Sequence, residues 1–147
     1  MSRRGALGFV LSVVPLGILA WRLAYVCDDA YIVGRYARHL AGGAGLSFNL
    51  DEPAPVEGYS DLLWVLGAAA IEAMGLRSPE VIVWASRAAA VGVLATLGWV
   101  LRRQVGVSVS AATAACVTLG ALPPFAAWTG SGLETMAAAL AMFGLSA

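Results

Sequence analysis

The sequence predicts an all-α fold: a polytopic bundle of transmembrane helices with an outer loop that carries interfacial helices. Three observations predict it. Of 147 residues, 60% are hydrophobic and 12% charged, about half the charged share of an ordinary soluble domain. The apolar residues are gathered into long runs. Arginine pairs, Arg3-Arg4 and Arg102-Arg103, fall at the ends of those runs. The nine basic residues balance nine acids, and no basic patch suggests a nucleic-acid partner.

The first span covers about 5–27. Gly5 to Trp21 carries no charge, and Arg22 can snorkel. Its exit, "AYVCDD", puts Tyr25 and Val26 where a signal peptidase requires small residues, so it reads as a retained anchor. Residues 28–78 form the outer loop. In "DDAYIVGRYARHLAGG", Val33, Tyr36, Ala37 and Leu40 recur at helical spacing, with Asp28, Arg35, Arg38 and His39 on another side. That pattern describes a helix lying on the membrane surface, stopped by Gly42 and Gly43. "GLSFNLDEPAPVEGYSD" is a loop. Asp61 to Leu76 is apolar but short, with Ser60 as its expected N-cap and Trp64 as an interface anchor.

Further spans are expected at about 79–101, 109–128 and 131–147, with Pro123-Pro124 bending or ending the helical part of the second of these. Ser131 and Glu134 match a capping box for the last. The positive-inside rule puts the N-terminus and both arginine pairs inside. The 28–78 loop and the turn near residue 130 are then outside. The final run is still apolar at Ala147, so the bundle reads as incomplete, the N-terminal part of something longer. Cys27 and Cys116 have no metal-site spacing and read as small apolar fillers.

Each polar feature has a plain structural account. Asp28 and Asp29 suit a helix N-terminus, where a carboxylate caps free N–H groups and meets the positive end of the dipole. Composition alone favours that cap; the alternative is a general base, or a holder for a phosphate-neutralising cation, at the membrane boundary. Arg35 and Arg38 are either a solvated face or forked phosphate donors. Glu57 and Tyr59 lie in the loop, Glu134 at a helix start, and Arg87 inside an apolar run, where an ionisable group is a site candidate. All but Arg87 are predicted on one side of the membrane, which suits chemistry on a membrane-bound, phosphate-bearing substrate.

"DDAYIVGRYARHLAGGAGLSFN", then "VEGYSDLLW", then "WTGSGLET" resemble the N-terminal part of polytopic glycosyltransferases of the GT-C superfamily. The resemblance is to the bacterial branch that includes terminal arabinofuranosyltransferases, with protein mannosyltransferases as more distant relatives. It covers about residues 25–64 and 127–135, in order. It implies a multi-pass enzyme of the bacterial plasma (inner) membrane, N-terminus cytoplasmic, taking sugar from a polyprenyl-phosphate donor to a cell-envelope glycan or protein outside. It also implies that Asp28 or Asp29 is the catalytic base, with Asp28 favoured. Arg35 and Arg38 would then serve the phosphate, and Glu57, Tyr59 and Glu134 the pocket. The metal requirement stays open, a divalent cation included. His39 stands where such enzymes often have Asn, and the chain holds fewer helices than they do. The alternative expectation is a short non-catalytic membrane protein that packs against a partner, with Asp28 and Ser131 as mere caps.

Overall fold

A computed structural model describes residues 3–51 and 57–145. These residues form seven α-helices and, among them, no strand. The helices are α1 (Arg3–Arg22), α2 (Asp28–Ala41), α3 (Leu62–Ala73), α4 (Ser78–Arg103), α5 (Val109–Gly120), α6 (Pro123–Trp128) and α7 (Thr135–Leu145). The all-α expectation holds.

Two helices, α1 with 20 residues and α4 with 26, are long and apolar enough to cross a membrane. At 1.5 Å per residue they reach about 30 and 39 Å, against a hydrocarbon core of about 30 Å. The apolar helices α3, α5 and α7 are shorter, at 10–17 residues. Helix α5 ends before Ala121, and α6 restarts at Pro123-Pro124. Proline lacks the N–H that would continue a helix yet suits its first turn.

The polarity of α1 is reversed from that of a soluble helix. Its buried residues, Gly8, Ser12, Leu16 and Ala20, recur every fourth position and are mostly small. Five of its large apolar side chains, Leu7, Val10, Leu11, Val14 and Ile18, are exposed. Small residues inside let backbones approach closely, the packing that serves helices in lipid, where no hydrophobic drive pulls them together. The α1–α5 contact is that close. A Cβ on Gly120 would stand 2.6 Å from the Ser12 carbonyl oxygen, and one on Gly8 would collide with the Thr113 hydroxyl. Helix α4 packs against α5 and α7. The bundle core comprises Leu16, Ala89, Ala90, Leu94, Cys116, Ala126 and Met136.

The 28–78 segment builds a second core. Helices α2 and α3 pack on each other and on α4 around Val33, Tyr36, Ala37, Val65, Ala68, Ala69 and Ile82. Helix α2 is amphipathic as expected, with Gly42 as C-cap and Gly43 at φ +82°. The following turn folds back on it. His39 Nδ1 lies 2.6 Å from the Ser47 carbonyl oxygen, and Tyr36 packs against Phe48 and Tyr59. Residues 52–56 of the expected loop lie outside the described residues.

One expectation about α3 is corrected. Its N-cap position is Asp61 rather than Ser60, and the Asp61 side chain makes no cap bond. Trp64 is partly buried, and its indole N–H donates to the Gly132 carbonyl at 3.1 Å, so it ties elements together. Near the other end, Glu72 accepts from the Ser78 N–H at 2.8 Å and the Ser78 hydroxyl at 2.7 Å. The acid inside the apolar segment therefore caps the start of α4, beside a fully buried Ser78.

Candidate functional site

The turn 129–134 joins three helices through its backbone. The Ser131 carbonyl accepts from the Cys27 N–H at 2.9 Å, at the start of α2. The Gly132 carbonyl accepts from Trp64 of α3. The Leu133 carbonyl accepts from the Ser86 hydroxyl of α4 at 2.9 Å. Gly132 has φ +81°, and a Cβ there would stand 2.8 Å from the Ala30 Cβ. Only glycine satisfies both the backbone and the gap.

This turn brings distant acids together. Cys27 holds the N-cap position of α2 without a side-chain cap bond, and Asp28 and Asp29 occupy the first turn. The account of Asp28 as a cap is therefore corrected. Both carboxylates sit, exposed, at the positive end of the helix dipole. The Asp29 N–H donates to Asp28 Oδ1 at 3.2 Å. The Cys27 thiol donates to the same oxygen at 3.3 Å and reaches Asp29 Oδ2 at 4.0 Å. Cys27 is thus a partner of the acids rather than an apolar filler.

Ser131 and Glu134 form no capping box. The Ser131 hydroxyl accepts from the Leu133 N–H at 3.2 Å and donates to the Trp128 carbonyl at 3.0 Å. Helix α7 begins after Glu134, whose carbonyl accepts from the Ala138 N–H at 2.8 Å. The Glu134 carboxyl acts on Asp61 instead. Desolvation and the neighbouring Glu134 carboxyl push Asp61 up to about 6, and the Asp29 charge adds to the rise. Sequence reasoning missed Asp61. Its signal was an acid directly before an apolar helix within "VEGYSDLLW", which read only as a helix start.

The expected cations lie elsewhere. Arg35 stands seven residues along α2 from Asp28, about 10 Å at helical rise. Its guanidinium covers the Phe48 ring at 4.4 Å and donates to Asn49 Oδ1 at 3.4 Å. Arg35 and His39 thus hold the 44–49 turn rather than joining the acids. Arg38 and Glu57 are exposed. Tyr59 packs edge-on against Tyr36 at 4.9 Å, and the Tyr36 hydroxyl accepts from the Gly58 N–H at 3.0 Å. The structure brings Asp28, Asp29 and Glu134 together and adds Asp61, while Arg35, Arg38, Glu57 and Tyr59 belong to α2 beyond its first turn and the loop around Tyr36.

The ligand atoms of Cys27, Asp28 and Asp29 lie within 4.8 Å of one another. A pair of carboxylates suits a hydrated divalent cation that also touches phosphate; the thiol adds nothing for so hard an ion. A cavity of about 490 Å³ lies at the opposite end of the bundle, between Gly8 and Ser12 of α1, Trp99 and Arg102 of α4, and Thr113 of α5. It shares no residue with the acids. Comparison with protein-family models, curated proteins and solved structures finds no match to this chain.

Proposed function

We propose that the chain is a GT-C-type glycosyltransferase that moves a sugar from a polyprenyl-phosphate donor to a cell-envelope glycan or protein. The carrying observation is that acids from three separated segments, Asp28 and Asp29, Asp61 and Glu134, converge at one end of an apolar bundle. In this reading that end faces outward from the bacterial plasma membrane. The lipid-suited polarity of α1 supports the membrane placement, and the arginine pairs support a cytoplasmic N-terminus. The shorter helices α5, α6 and α7 complete a multi-pass bundle.

Asp28 or Asp29 then removes the proton from the acceptor hydroxyl as its oxygen attacks the anomeric carbon. The bond from that carbon to the donor phosphate oxygen breaks, and polyprenyl phosphate leaves with the electron pair. Asp28 and Asp29 are also the residues that would hold a divalent cation against the phosphate, which would supply charge neutralisation. The raised Asp61 carboxyl keeps part of its proton as pH falls toward 6, which eases the negative charge beside the base. Arg35 and Arg38 serve the phosphate once it lies along α2, with Glu57 and Tyr59 at the pocket edge.

Transfer of a labelled sugar from a polyprenyl-phosphate donor by membranes holding the chain tests this. Asp28→Asn and Asp29→Asn are compared separately at matched expression. One of them should lower transfer by about 10²–10⁴-fold. Wild-type rates in both overturn the base assignment. Absent transfer by the wild type favours a non-catalytic membrane protein that packs against a partner.

A further inference from the structure

An apolar groove runs along α1 on the side that meets α4, lined by Phe9, Val10, Val13, Val14 and Gly17 of α1 and by Val91 of α4. Arg87 stands four residues before Val91, hence on the same face of α4 and one turn nearer the end that carries the acids. Helical side chains lean toward the N-terminus of their helix, so the Arg87 guanidinium lies further along, 4.7 Å from the centre of the Trp84 ring. Its Nε is buried without a hydrogen-bond partner. Among the described residues the one ion pair is Arg77 with Glu80, so no carboxylate answers the Arg87 charge. Arg87 as a whole is only half-buried, so the outer nitrogens of its guanidinium remain open to an anion. At the mouth of an apolar groove it calls for an amphiphilic anion.

Trp21 supports the level. It is 82% exposed at the end of α1, and Trp84 is 68% exposed on α4. Such exposed indoles mark the membrane–water interface, where lipid headgroups sit. Gly17 keeps the groove open, because nothing lies within 4 Å of where its Cβ would be.

We infer that the groove between α1 and α4 binds one chain of an anionic glycerophospholipid, whose phosphate pairs with Arg87 beside Trp84. The site is separate from the acids and needs no catalysis. It rests only on the membrane placement of the bundle, which labelling of Cys27 tests on its own. Phosphate oxygens would pair with the outer guanidinium nitrogens, and the acyl chain would cover Val10, Val13 and Val14.

Native mass spectrometry of the full chain, purified in detergent and exposed to phosphatidylglycerol or phosphatidylcholine of identical chains, tests the inference. The wild type should retain phosphatidylglycerol about tenfold over phosphatidylcholine, the factor that about 1.4 kcal/mol of headgroup discrimination gives. Arg87→Gln should abolish that preference. Gly17→Leu, which fills the groove without disturbing a packed neighbour, should lower retention of both lipids with Arg87 intact. Equal retention of the two lipids by the wild type overturns the site. So does retention that ignores Gly17→Leu, because the chain would then lie elsewhere. Helix content by circular dichroism and single-species elution confirm that both variants fold.

Discussion

Asp61 shows how one side chain can bind an element and carry a proton at once. Its carboxyl is raised from 3.8 to about 6 by burial and by the Glu134 carboxyl. Between those values the folded chain holds more protons than the unfolded one. Stability from this group is therefore fully present below about pH 4 and is lost as pH rises through about 6. Asp61→Asn should remove that fall and stabilise the protein at pH 7 by about 1 kcal/mol, well below the full shift because the group is partly exposed. Denaturation at pH 4.5 and pH 7 checks it, and a variant with the wild-type pH slope would contradict the raised Asp61 carboxyl. Gly132 makes the complementary case. Gly132→Ala forces a side chain into positive φ and against Ala30, and should cost about 1–3 kcal/mol. Thermal unfolding of the purified protein reads it directly. Neither role was legible in the sequence. A glycine's φ and a carboxyl's partner 73 positions away depend on the completed fold.

At the scale of elements, local patterns were legible where local physics decides them. The apolar period of α2 and its Gly42-Gly43 stop emerged as read, because a half-buried helix needs that stripe and its C-terminus needs a residue free to turn. The break before Pro123-Pro124 emerged for the same reason. Caps were harder. Ser60, Asp28 and the Ser131–Glu134 pair all matched capping patterns, yet none caps. The N-cap position of α3 falls one residue past Ser60, Asp28 lies inside α2, and the Ser131 hydroxyl bonds within its own turn. The converse is Glu72, a lone acid in an apolar run that caps the next helix. Glu72→Ala should leave a buried Ser78 N–H and hydroxyl unpaired and cost about 1–3 kcal/mol, whereas Glu72→Gln, which keeps a carbonyl acceptor, should cost less. Comparison of the two midpoints in denaturant separates loss of the acceptor from loss of charge.

At the scale of the molecule, composition made an all-α chain with two helices long and apolar enough to cross a membrane legible, but not how the helices pack. Because α1 is apolar all round, no period could say that Gly8, Ser12 and Ala20 turn inward while Leu7, Leu11 and Ile18 turn out. The meeting of residues 28, 61 and 134 was likewise invisible, since it is made by the 129–134 turn binding three helices. The account's central claim is that this meeting point faces outward. The chain's two cysteines provide the means, for Cys27 lies beside the acids and Cys116 is buried in the bundle. The decisive measurement is labelling of spheroplasts with a membrane-impermeant maleimide. The account predicts modification of Cys27 without permeabilisation, lost in Cys27→Ser. Labelling that appears only after the membrane is opened would place the acids on the cytoplasmic side and contradict it.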